Sequence, residues 1–175
     1  RHARVQNQQL GMAGVSGAIG WCAFDYNTHQ EFGSGDRICY HGVMDIFRLP
    51  KYAAAFYASQ MDPTRRVVLQ AATVWSMGDR SGGGVDPLVV FSNCDSLEVF
   101  VGDERIGRFL PDRDTFPHLP HAPYVIALLE QHITWGRAMA DLRLVGYVGD
   151  QPVAEQRIAA DGLPHALELV ADDAT

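Results

Sequence analysis

Nine residues able to do chemistry crowd one stretch of the chain: Trp21, Asp25, Tyr26, His29, Glu31, Asp36, Tyr40, His41 and Asp45. Aromatic rings beside carboxylates are what a sugar site uses. The ring covers the apolar C–H face and the carboxylates bond hydroxyls. Two carboxylates about 5 Å apart would also perform retaining glycoside hydrolysis. Asp25 with Glu31, or Asp25 with Asp36, is open as that pair, and spacing alone selects neither. A plainer reading stands beside this one, with Trp21 a core residue and Asp25 a satisfied strand-end carboxylate. Loops at strand ends carry function often enough to keep both readings in play.

Other motifs carry less. His118 and His121 have a spacing able to hold a metal, but Pro117, Pro120 and Pro123 make that stretch a stiff extended loop, and no third ligand lies near. A metal-dependent site built on His41, His118 and His121 is the remotest reading. The segment GDRSGGGVD lacks the Gly-Lys-Ser/Thr ending of a phosphate loop and reads as a turn. Trp75 and Trp135 lie on or beside expected strands, as sugar platforms or, more commonly, as core residues. No Gly-x-Ser-x-Gly motif is present.

The crowded stretch must be positioned by the elements around it. Residues 1–14 suit the end of a helix, weakened by Gly11 and Gly14. Gly17 to Asn27 form a nearly continuous apolar run, the pattern of a strand buried on both faces of a parallel sheet or barrel. The cluster then falls at the C-terminal end of that strand and in the long polar loop after it, the edge where α/β barrels build their sites. A second helix follows. Pro50 suits its first turn, Ala53, Ala54, Phe56, Tyr57 and Met61 supply propensity and an apolar stripe, and Pro63 stops it. A doubly buried strand needs parallel neighbours, and the chain offers none for this one.

The pattern changes near residue 62. From Val67 onward, short strands alternate with turn chemistry. In SLEVFV, Leu97, Val99 and Val101 share one face. Gly102-Asp103 and Gly149-Asp150 suit hairpin turns, since glycine adopts positive φ without strain. About seven such strands, with HALELVA near the end as one candidate, predict a two-sheet sandwich.

Composition narrows the function classes. The 175 residues carry a net charge of −7, which argues against the basic footprint nucleic acid requires. No apolar run reaches bilayer-spanning length, and the start RHARVQNQQL lacks the apolar centre of a signal peptide. Arg1 in place of Met, and the uncapped ending ADDAT, read as cut ends. Compartment is left open. Cys22, Cys39 and Cys94 are too few and scattered for a disulfide framework or a zinc site, and buried free thiols are expected.

At GAIGWCAFDYNTH and YHGVMDIFRLPKYAAAFYASQMDP the chain resembles family 2 glycoside hydrolases of β-galactosidase type. Trp21, Phe24, Asp25 and Tyr26 look like the family's eighth barrel strand, and the segment from Arg48-Leu49-Pro50-Lys51 looks like its final helix. VFSNCDSLEVFVGDERIG resembles a strand, Ser-Asn-Cys and a hairpin, with Val101-Gly102-Asp103 replacing the usual Leu-Asn-Gly. The stretch LRLVGYVGDQPVAEQRIAADGLPHALELVAD resembles the closing strands of the domain after the barrel.

The resemblance implies an α+β fragment: the last strand and helix of a (β/α)8 barrel in residues 1–62, then an all-β immunoglobulin-like sandwich in 63–175. It implies a retaining mechanism on two glutamates, at the ends of the fourth and seventh barrel strands. Both would lie upstream of Arg1, so Asp25, Glu31 and Asp36 lose their claim as the catalytic pair. No residue here is then expected to be catalytic. Trp21 carries over as the aromatic wall of the sugar subsite and Asp25 and Tyr26 as flanking residues, with His29 and His41 added from position. The implied partners are a β-galactoside in the full-length enzyme and the remaining domains of a parent chain; no cofactor, nucleic acid or membrane is expected, no residue here is assigned to a metal, and metal dependence is left open. The alternative is a non-catalytic carbohydrate-binding or interaction sandwich with Trp75 or Trp135 as its platform.

Overall fold

Residues 1–28, 37–75, 85–127 and 139–160 are described by the computed structural model. His29, Glu31, Asp36, Trp135 and the HALELVA segment lie outside them.

Good helix formers build α1 (His2–Leu10), which ends at Gly11. None of its residues is buried, so propensity alone does not hold it in place. The tether is polar: His2 and Gln6 reach the Tyr57 hydroxyl, and the His118 backbone N–H donates to the Asn7 side chain. The alanine-rich α2 (Tyr52–Ala58) starts after an extended N-cap, Lys51, so Pro50 lies one residue before the cap rather than in the first turn. Phe56 is its buried side chain. It packs with Phe116, Leu119 and Ala122 of the proline-rich loop. Gln60 clasps that loop in both directions: its side chain donates to the His121 carbonyl and accepts from the His121 N–H. Arg113 ties the Leu119 and Pro120 carbonyls. The stretch around His118 and His121 is thus a structural loop. Burial, the largest cause, holds His121 below its ordinary pKa.

The apolar run Gly17–Asn27 departs from expectation. Its regular part is the two-residue strand β1 (Tyr26–Asn27), antiparallel to β2 (Ile38–Cys39). Just before it, Phe24 bridges Met44 in parallel, and the Val43, Met44 and Asp25 N–H groups bond across to the Cys22, Ala23 and Met44 carbonyls. Ile19 is 91% exposed and Trp21 72% exposed. The strand buried on both faces is therefore not realised among the described residues. Such a strand needs hydrogen-bonded neighbours and covering layers on both sides, and only residues 38–44 run beside it.

The sandwich strands follow the sequence pattern closely. They are β3 (Leu69–Ala71), β4 (Leu88–Ser92), β5 (Ser96–Val101), β6 (Glu104–Phe109), β7 (Tyr124–Ile126), β8 (Leu142–Val148) and β9 (Gln151–Ile158). One sheet has the order β3-β4-β7 and the other β6-β5-β8-β9, with every pairing antiparallel. Alternation buries Leu88 and Val90 from one sheet against Leu97, Val99, Leu142 and Leu144 from the other, in a single core. Gly102-Asp103 and Gly149-Asp150 form the two hairpin turns, with φ of +60° and +57° at the glycines. At Gly149 the Asp95 carboxylate also accepts the backbone N–H.

Trp75 is 1% exposed and belongs to this core, where its indole N–H donates to the Ala140 carbonyl at 2.8 Å. A buried indole cannot present a sugar platform, so the binding-module reading loses Trp75. Of the three cysteines, all free, Cys39 and Cys94 are buried as expected, whereas Cys22 is half-buried with its thiol on the Phe24 carbonyl.

Between β4 and β5 the chain crosses from one sheet to the other through Asn93, Cys94 and Asp95. Asn93 is fully buried, and its side chain accepts from the Val68 N–H and donates to the Met61 and Arg66 carbonyls, at 2.8, 2.9 and 2.8 Å. Ser92 donates to the Val68 carbonyl and receives the Cys94 N–H, while Tyr124 donates its hydroxyl to the Cys94 carbonyl. Burial pushes the Tyr124 phenol pKa up, so it stays a donor at any physiological pH. The Ser-Asn-Cys motif is a knot tying the chain after α2 to both sheets.

Candidate functional site

The described part of the crowded stretch folds around Asp25. Its side chain is 2% exposed, and Oδ1 accepts from the Gly42 N–H at 2.8 Å and from the Lys51 ammonium at 2.6 Å. Asp25 is thus an internally satisfied carboxylate, which is what the plainer reading of the sequence held for it. Gly42 has to be glycine here. A Cβ would fall onto backbone atoms of Phe24, Asp25 and Met44.

Trp21 and Tyr26 pair directly. The exposed indole donates its N–H to the Tyr26 hydroxyl at 3.4 Å, a long and weak bond. The Tyr26 phenol is held above its ordinary pKa chiefly by its hydrogen bond with Cys39, the residue opposite it in the β1–β2 pair. The Trp21 bond pulls the other way. The phenol therefore stays protonated through neutral pH and can offer its proton to a hydroxyl.

A cleft of 320 Å³ opens beside this pair. It is lined by Ile19, Gly20 and Trp21 from the apolar run, by Tyr40 and His41 from the return segment, by His2 and Gln6 of α1, and by Tyr57 of α2. Two expected site residues, Trp21 and His41, converge on it. Tyr26 joins through Trp21, and Asp25 braces the segment behind them. His29 lies outside the described residues. Aromatic faces next to hydrogen-bonding groups suit a polyol, with Arg1 also in the lining. Burial, the largest cause, holds the His2 imidazole below its ordinary pKa.

His2, Gln6, Tyr57, Ile19 and Gly20, with Arg1 and Val5, line this site and escaped the sequence reading as site residues. The two helices supplying the first three were seen, but the contact between them spans more than fifty residues, and no local pattern reports it. A larger cleft, 530 Å³, lies between α2 and the segment Arg66–Gln70. It is lined by Lys51, Tyr52 and three alanines on the α2 side and by Arg66, apolar residues and Gln70 on the other, and contains no expected site residue. Among the described residues no group of three His, Cys, Asp or Glu is placed to hold a metal, so His41, His118 and His121 do not assemble one.

No protein-family profile matches the chain. Solved structures do. It superposes on a β-glycosidase from Bacteroides vulgatus with a TM-score of 0.64 at 18% identity, over 98% of this chain and 20% of that one. It also superposes on a β-glucuronidase from glycoside hydrolase family 2, with a TM-score of 0.64 at 20% identity, over 96% and 16% respectively. Among the described residues the fold is mostly β with two helices, and it is like that of the matched segments of these glycosidases.

Within that class the sequence relatives are β-galactosidases, and the chain is homologous to them over essentially its whole length. The β-galactosidase of Thermoanaerobacterium thermosulfurigenes is 46% identical over 99% of this chain and 25% of the relative. That of Rhizobium meliloti is 40% identical over the whole chain and 24% of the relative. The chain thus spans about a quarter of the length of the curated relatives it matches.

Proposed function

We propose that this chain is one part of a retaining β-glycosidase acting on terminal β-galactosides, and that it supplies one wall of the sugar site and a bracing sandwich. The observation that carries this reading is the convergence of Trp21 and His41 on a single open cleft, in a chain homologous throughout to β-galactosidases. Trp21 stacks on the sugar, and Tyr26 and His41 bond its hydroxyls. Asp25 flanks the pocket from behind.

Residues 1–62 then end a (β/α)8 barrel and residues 63–175 form an immunoglobulin-like sandwich. The strand orders β3-β4-β7 and β6-β5-β8-β9 support the second half of that division. The first half is supported by where apolar surface is left open. Thirteen of the seventeen exposed large apolar residues among the described ones fall within the first 61 positions, and beside the sugar-facing Trp21 they include Ile19, Phe47 and Leu49. So much open apolar surface in so short a stretch marks an interface, and the remaining domains of a longer chain are its natural cover.

On this reading the acid/base and nucleophile glutamates belong to other barrel strands. The protein that carries this segment is expected to hydrolyse a nitrophenyl β-galactoside, while residues 1–175 alone give no turnover. Without the two glutamates neither leaving-group protonation nor a glycosyl-enzyme intermediate is available. Hydrolysis by the purified 175-residue chain, unaffected by losing Trp21, would contradict the assignment.

A further inference from the structure

We propose that Lys51 is a positioning residue of the sugar site, acting through Asp25 to fix the segment that presents His41. The proposal rests on the reading of the cleft given above.

Lys51 occupies the N-cap of α2, with φ −89° and ψ 173°, and makes no side-chain capping bond there. Lysine has no acceptor and so cannot cap a helix start, where Ser, Thr, Asp and Asn are preferred. The helix gains nothing from this side chain. It turns instead toward the return segment and makes three contacts. Its ammonium donates to Asp25 Oδ1 at 2.6 Å and to the Tyr40 carbonyl at 3.3 Å, and it lies 6.0 Å from the centre of the Tyr40 ring. Its own backbone N–H donates to the Val43 carbonyl. The other bond of Asp25 Oδ1 comes from the Gly42 N–H.

This wiring grips His41 from both sides. Tyr40 is held through its carbonyl and Gly42 through its N–H, and the two grips share one ammonium–carboxylate pair. Trp21 sits four residues before Asp25, just ahead of the parallel run at residues 22–25 that bonds to Val43 and Met44. The spacing between the two cleft residues Trp21 and His41 is therefore set by Asp25 and Lys51. The carboxylate is nearly sealed from water while the ammonium is a third exposed. Removing the ammonium leaves a buried charge without its partner. That charge would turn toward water and carry the 40–42 segment with it.

The test is steady-state kinetics on a nitrophenyl β-galactoside, in the full-length protein that carries this segment, with Trp21→Ala measured alongside. Lys51→Met is expected to raise KM on the order of tenfold while kcat stays within about threefold, since ground-state contacts are displaced and the reacting groups lie elsewhere. Lys51→Arg, which keeps a donor cation, is expected to restore most of the loss. A merely structural lysine would lower the melting temperature and leave KM alone. If Lys51→Met does not fold, the Lys51→Met/Asp25→Asn double variant, which leaves no unpaired charge, carries the same comparison. A raised KM in the folded variant supports the proposal and an unchanged KM overturns it. Should Lys51→Met leave KM unchanged while Trp21→Ala raises it, positioning fails and the sugar wall stands. Should neither variant move KM, the wall itself fails.

Discussion

Asn93→Ala is expected to destabilise the protein by about 2–3 kcal/mol, from one buried partner and two part-buried ones left unsatisfied at roughly 1–3 kcal/mol for the buried group and less where water reaches the other two. The side chain is fully buried and uses its amide completely, taking the Val68 N–H and serving the Met61 and Arg66 carbonyls. Alanine replaces none of these bonds. Asn93→Asp separates the two halves of the amide. It keeps the acceptor for Val68 but loses both donors and sets a carboxylate against two carbonyl oxygens, so it is expected to cost at least as much. A urea titration reads both variants as a lowered midpoint at unchanged slope. A midpoint like that of the parent protein would mean that the Ser-Asn-Cys crossing is not the knot described here.

Trp75→Ala is expected to cost about 3–5 kcal/mol, the range for removing a large aromatic from a packed core. The ring touches residues of both sheets and its N–H satisfies the Ala140 carbonyl. Trp75→Phe keeps most of the apolar contact and loses the hydrogen bond, so it is expected to cost roughly 1–3 kcal/mol. The backbone adds a second effect. Trp75 sits at φ +46°, a left-handed conformation costly for a bulky residue and free for glycine. Trp75→Gly should therefore be no worse than Trp75→Ala despite its smaller side chain. The same variants bear on the alternative function. If Trp75 were a carbohydrate platform, its loss would remove sugar binding and leave stability nearly unchanged.

Much of the sandwich was legible because its signals are local. Leu97, Val99 and Val101 alternate in sequence and are buried together, and both Gly-Asp pairs fall at two-residue turns. The run Gly17–Asn27 was legible in chemistry but not in form. Its apolar content reads as a strand wanting neighbours on both faces, and among the described residues the segment paired beside it is the one around 38–44. The choice between core and platform for Trp75 needed burial, which a strand pattern cannot supply. Lys51 and Asn93 stood inside stretches that carry the family resemblance, but what their side chains bond was not legible. Lys51 meets Asp25 across 26 positions, and Asn93 meets Met61 across 32. In sequence, Lys51 is merely a charged residue ahead of a helix and Asn93 a polar residue after a strand. The convergence of Trp21 with His41 was expected from position after the strand. The contribution of His2 and Gln6 depends on how α1 lies against Tyr57, which sequence does not report.

The most direct test of the sugar-wall assignment is the KM for a nitrophenyl β-galactoside in the full-length protein, with and without Trp21. The indole is mostly exposed, so its removal should change stability by no more than about 0.5 kcal/mol. The stacked face should be worth about 1.4 kcal/mol or more of binding, a factor of roughly ten. Trp21→Ala is therefore expected to raise KM at least about tenfold in a protein that melts like its parent. An unchanged KM in the folded variant, or an unfolded protein in place of weakened binding, would contradict the assignment of this segment as a wall of the sugar site.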